Sequence, residues 1–118
     1  MKYSSDIIQS TSDNLICINN CGELRATLDN VHTHRHAGRN DYQLIYIREG
    51  RCDVTIDNML YVAYQGDYIL YRPGEPQDYL LSQRDHTHTY WIHFSGSMCQ
   101  KLFETFSLED VHIIQTGQ

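Results

Sequence analysis

From Leu15 to Phe94 the chain is a succession of short apolar or alternating runs, each closed by Gly, Pro, Asn or Asp. Tyr42–Ile47 is the clearest of them, dense in aromatic and β-branched residues. Glu49-Gly50 turns it into Cys52–Ile56, where Val54 and Ile56 share a face, and Asp57-Asn58 tolerates the positive φ of a tight hairpin leading to Met59–Tyr64. Gln65-Gly66-Asp67 precedes Tyr68–Tyr71, and Arg72-Pro73-Gly74-Glu75-Pro76 precedes Gln77–Leu81. Thr87–Phe94 is the last clear strand. Upstream, Leu15–Ile18 and Glu23–Leu28 read as two strands separated by an Asn19-Asn20-Cys21-Gly22 turn. Seven or eight short strands at this spacing predict an all-β sandwich or barrel rather than a βαβ fold.

One helix follows the strands. Ser97-x-x-Gln100 has the capping-box pattern, and Cys99, Leu102, Phe103 and Phe106 recur at helical spacing, an apolar stripe expected to face the sheets. Beyond Ser107 the pattern fades into Val111-His112-Ile113-Ile114. With 118 residues, no repeat and no linker, the expectation is one domain over 1–118. The polar end at Gln118 gives it the look of a fragment of a longer protein.

Charge excludes one class of partner. Nine Lys and Arg stand against fifteen Asp and Glu, a net charge of −6, and no basic run occurs, so direct contact with nucleic acid is not expected. No apolar run approaches the ~20 residues of a membrane span. Met1-Lys2-Tyr3-Ser4-Ser5-Asp6 lacks the apolar core of a secretory leader, so a cytoplasmic location is expected. Cys17, Cys21, Cys52 and Cys99 do not form the two tight pairs of a zinc ribbon and read as reduced thiols.

Three segments carry a family resemblance. Arg39-Asn40-Asp41-Tyr42-Gln43-Leu44-Ile45-Tyr46 resembles the R-x-D-Y-x-L-I-Y strand of AraC-type sensor domains. Gly66-Asp67 through Pro73-Gly74-Glu75-Pro76-Gln77-Asp78-Tyr79 is similar to their Gly-Asp…Pro-Gly-Glu-Pro-Gln stretch, and Tyr90-Trp91-Ile92-His93-Phe94-Ser95-Gly96 to their YWIHFSG signature. The resemblance implies a cupin-like β-barrel, or double-stranded β-helix, with one C-terminal helix. It implies binding of a small-molecule effector, often a sugar or related metabolite. It also implies control of DNA through a separate C-terminal helix-turn-helix domain, with homodimerisation in the full-length protein.

Nine Tyr against three Phe suit either ordinary half-wet strand positions, where Tyr is a good strand former, or a moist interior in which rings take the C–H face of a polyhydroxylated ligand and hydroxyls take its oxygens. Tyr79 and Trp91 fall where the resemblance places pocket aromatics. Strand alternation puts Thr89, Trp91 and His93 on one face and the greasier Tyr90, Ile92 and Phe94 on the other, so the first set is expected to face the cavity. Arg39 is either a solvated strand-end charge paired with Asp41 or a planar fork for ligand hydroxyls or a carboxylate. Glu75 caps its turn.

His32, His34 and His36 recur at period two and in a strand would point the same way. His34-x-His36 resembles the first half of the metal-binding cupin motif, with Asp41 near its acidic ligand. Where the second half needs a histidine, Gln77 stands, a poor ligand for zinc or nickel. His86 and His88 could add to such a cluster. Three readings stay open: His34 and Gln77 as hydrogen-bonding pocket residues, an idle exposed cluster, or a metal-dependent cupin isomerase or dioxygenase built on His34, His36 and Asp41. The ligand-binding set is therefore His34, Arg39, Gln77, Tyr79, Trp91 and His93, with no catalytic residue and no cofactor assigned.

Overall fold

Period-two alternation along Gln43, Ile45 and Ile47 buries all three on one side of the strand Tyr42–Glu49 (β3) and decides which way the sheet faces. The computed structural model describes residues 15–116, so the Met1–Asp6 segment and Gln118 lie outside the described residues. Around β3 run Cys17–Arg25 (β1), Val31–Arg35 (β2), Arg51–Ile56 (β4), Met59–Tyr64 (β5) and Tyr68–Tyr71 (β6). Gln77–Leu81 (β7), His88–Ser95 (β8), the helix Cys99–Thr105 (α1) and Ile113–Ile114 (β9) complete the order.

The strands form two antiparallel sheets, β1-β8-β3-β6-β9 and β2-β7-β4-β5, whose inner faces meet as a cupin-like barrel. Ile45, Ile47 and Ile69 from the first sheet pack on Cys52, Val54, Ala63 and Leu81 from the second, all essentially inaccessible to solvent. Each such aliphatic contributes about 1.5–3 kcal/mol by leaving water. On the outer face of the first sheet, Leu70, Phe94 and Cys99 form a smaller cluster with Tyr42, Leu44, Ile92 and Phe103. There α1 lies, with Phe103 against Tyr42 and Phe94. The β4–β5 hairpin turns at Asp57 and Asn58 with φ of 52° and 66°, the left-handed pair a two-residue turn demands.

Three local expectations are corrected. Asn19-Asn20-Cys21-Gly22 is not a turn: β1 runs straight through it, with Cys21 opposite Ile92 and Gly22 opposite Trp91. A bulge between Ile18 and Asn20 absorbs the irregularity, and pairing with β8 outweighs the local turn preference. The capping box does not form: Met98 is the helix cap, Ser97 gives no side-chain cap, and Gln100 reaches forward to Glu104 instead of back. The helix also ends at Thr105, so Leu102 and Phe106 stay 39% and 64% exposed and only Cys99 and Phe103 face the sheet. Beyond Ser107, the pattern-poor Val111–Ile114 stretch returns to pair Ile113 and Ile114 with β6.

Candidate functional site

Inside the barrel polarity is divided along its length. One end is the aliphatic core just described. At the other, three side chains stand in register across the first sheet: His93 on β8, Gln43 on β3 and Tyr71 on β6, with Gln43 opposite both neighbours. All three are at most 5% exposed. Gln43 Oε1, the Tyr71 hydroxyl and both ring nitrogens of His93 lack a hydrogen-bond partner. Facing them on the second sheet, Arg35 on β2 is opposite Gln77 on β7 and donates from Nη1 to Gln77 Oε1 at 2.8 Å. Gln77 Nε2 is buried and unpartnered as well. Leaving a buried polar atom unmet costs about 1–3 kcal/mol, so a row of them marks a place built for something the fold does not itself supply.

Beside this row lies a cavity of about 270 Å³, with Arg35, Gln43, Tyr79, Trp91 and His93 among its walls. Trp91 stacks on His93 with ring centroids 4.5 Å apart. Gly22 makes room for the indole, since a Cβ there would sit 2.6 Å from Trp91 Cζ2. Thr33, Ile45 and Thr89 complete the inner wall, and Glu23, paired with Arg25 and His88, stands at the mouth. Burial, helped by the nearby Arg39 charge, lowers the His93 pKa from the ordinary 6.5, so at neutral pH the ring offers one donor and one acceptor. Arg35 forms no ion pair with the described residues and is the cation of this cavity.

The residues singled out from sequence are thus divided. Tyr79, Trp91 and His93 meet at the cavity, on the face that alternation assigned to Trp91 and His93. Gln77 joins them through Arg35. His34 does not: Val31, Thr33 and Arg35 take the inner face of β2, which turns His32 and His34 outward. Arg39 forms its ion pair with Asp41 at 2.8 Å, and Asn19 also donates to Asp41, leaving Arg39 outside the cavity wall. Although desolvation opposes it, the Arg39 and Asn19 hydrogen bonds hold the Asp41 carboxyl below its usual range.

The histidines and Asp41 of the open metal reading do not come together. β2 ends at Arg35, so His36 lies in the following turn, and His34 faces the exterior while Asp41 is engaged with Arg39. His32 is bonded to Asp78, His86 is in a left-handed turn and His88 is bonded to Glu23. Among the described residues no group of three or more His, Cys, Asp or Glu is placed to hold a metal ion.

Sequence reasoning missed Arg35 and Gln43. Parity could have found both: Val31 is the apolar residue of its run and sets Thr33 and Arg35 inward, just as Ile45 and Ile47 set Gln43 inward.

Residues 21–116 match the model of the AraC-like ligand binding domain. The chain belongs to that family. Among solved structures, this AraC-like domain is similar to ToxT from Vibrio cholerae O395 bound to (E)-4-(8-methylnaphthalen-1-yl)but-3-enoic acid. The TM-score is 0.55 at 16% identity, covering 78% of this chain and 36% of that one. Apo ToxT K231A from Vibrio cholerae strain SCE256 gives 0.57 at 11% identity, covering 80% and 40%. A Cupin 2 conserved barrel domain protein from Salinispora arenicola CNS-205 gives 0.51 at 13% identity, covering 90% and 79%. At these identities the likeness establishes the cupin-type fold, and the AraC-like domain spans well under half of either ToxT chain. No curated protein matches the sequence. No helix among the described residues is long and apolar enough to cross a membrane.

Proposed function

We propose that this AraC-like domain is the effector sensor of a cytoplasmic transcription regulator. It takes a small polyhydroxylated molecule, a sugar or sugar acid, into the barrel cavity. The observation that carries this is the unpartnered pair His93 and Gln43 facing Arg35 beside the flat surface of Trp91. Trp91 and Tyr79 offer ring faces to the C–H side of a sugar, while the Gln43 amide and His93 ring take its hydroxyls. The Arg35 fork suits a carboxylate or a vicinal diol, and the ligand bound to ToxT is itself an organic acid.

In this reading the ligand-binding set is Arg35, Gln43, Tyr79, Trp91 and His93, with Gln77 holding Arg35 in place, and the domain catalyses nothing. DNA contact belongs to a separate C-terminal domain, consistent with the net charge of −6 here, and the full-length regulator is a homodimer. Effector and DNA affinity would be coupled by about 1–3 kcal/mol. A thermal-shift screen of neutral sugars and sugar acids tests the reading. A hit is expected to raise Tm, and Trp91→Ala is expected to weaken it at least about tenfold, the loss of one good stacking contact. A hit whose affinity is untouched by Trp91→Ala and Gln43→Leu would refute the cavity assignment.

A further inference from the structure

The pairing of β4 with β7 stops at Val54 opposite Tyr79. Yet β7 runs on to Gln77 against β2, and β4 runs on to Ile56 against β5. The strands part at this point, and a cleft of about 450 Å³ opens among Thr55, Asp57, Tyr71, Glu75, Gln77 and Asp78. It is separate from the barrel cavity: Arg35 lines one, Gln77 lines the other, and the hydrogen bond between them is the partition.

The cleft holds polar atoms with nothing to bond. Gln77 is wholly buried; its Oε1 accepts from Arg35 while its Nε2 donor is unmet. The Tyr71 hydroxyl lies close to the Asp78 backbone N–H without completing a hydrogen bond. Burial raises the Tyr71 pKa, which keeps that hydroxyl protonated as a donor. At the rim stand three carboxylates and two imidazoles, His34 opposite Asp78 and His112 beside Glu75. Glu75 is held by the Arg72 backbone N–H and by His112, and Asp78 by His32. Asp57 forms no ion pair with the described residues. The occupant must therefore bring oxygen acceptors to the floor and a positive charge to the rim.

We propose that this cleft is a second small-molecule site, for a compact amine bearing hydroxyl or carbonyl oxygens, of the amino-sugar or amino-alcohol class. Its ammonium sits between Asp57 and Asp78, and its oxygens accept from Gln77 Nε2 and the Tyr71 hydroxyl. A neutral polyol forgoes the charge interaction, and an anion meets three carboxylates.

The test is a ¹⁵N–¹H titration of the 118-residue chain with glucosamine, glucose and glucuronate in parallel. Glucosamine is expected to shift the Gln77 side-chain amide and the backbone amides of Asp57, Asn58 and Asp78, with the Trp91 indole unmoved; the other two sugars leave the cleft resonances in place. Asp57→Asn keeps a residue that tolerates the φ of 52° and should weaken glucosamine about tenfold, the value of a charge-assisted hydrogen bond. Tyr71→Phe should weaken it about threefold. The proposal is overturned by silence of the cleft amides, by an equal response to glucose or glucuronate, or by full affinity in Asp57→Asn. A response confined to the Trp91 indole and Gln43 would overturn it too, and would place glucosamine in the barrel cavity instead.

Discussion

Replacing Gln43 by Met should make the ligand-free protein more stable. Gln43 is 2% exposed, its Oε1 has no partner, and its neighbours across both ladders, His93 and Tyr71, carry unmet atoms of their own. An unmet buried acceptor costs about 1–3 kcal/mol, whereas an apolar group of similar shape carries no such penalty. Because the adjoining cavity of about 270 Å³ admits water, the low end applies, and the expected gain is ~1 kcal/mol. For a domain of roughly a hundred residues that is ~4 °C in Tm, well within the resolution of a circular-dichroism melt. The same variant should fail to bind any ligand found for the cavity, since the amide that reads its hydroxyls is gone. Stability gained at the expense of recognition is the signature of a residue kept for binding. A Tm lowered by a few degrees in Gln43→Met would refute the reasoning, because it would mean the amide is satisfied within the fold.

Other outcomes follow from the same geometry. The His93 pKa is lowered in the folded state, so its contribution to stability is complete above 6.5 and is lost as pH falls through the lowered folded value; His93→Gln should flatten Tm across that acid window, and identical pH profiles would contradict it. Burial pushes the Cys52 thiol up to about 12 and raises that of the buried Cys99, so a thiol reagent at mildly alkaline pH should modify Cys17 and Cys21 in the native protein and reach the other two only on unfolding, as peptide mass mapping would reveal. Arg72 donates to the carbonyls of Leu108 and Val111 and lies 5.9 Å from the Phe103 ring, so Arg72→Ala should speed amide exchange at Ile113 and Ile114 by about tenfold or more while leaving β3 protected.

The barrel was largely legible because half-buried antiparallel strands write their geometry at period two, and Asp57-Asn58 and Pro73-Gly74 mark turns the backbone cannot make easily otherwise. What resisted reading was anything decided by a distant partner. Gly22 looks like a turn residue, yet its use is to leave space for Trp91, sixty-nine positions along the chain but directly opposite in the ladder. The three evenly spaced histidines drew attention to the wrong face of β2, where Val31 alone carried the correct parity. Ser97 and Gln100 have the right spacing for a reciprocal cap, but Gln100 reaches Glu104 instead. The His93–Gln43–Tyr71 row needs the registers of three strands at once, which no single window of sequence contains.

The separation of the aliphatic end from the polar end of the barrel has an evolutionary consequence. Ile47, Ile69, Val54 and Leu81 hold the sheets together outside the wall formed by Arg35, Gln43 and His93, so a lineage can exchange the recognition set without touching the girders. Homologues descending from one scaffold would then diverge in diet while keeping the same skeleton, with Gly22 the simplest dial, because each carbon added there displaces the indole and narrows the berth.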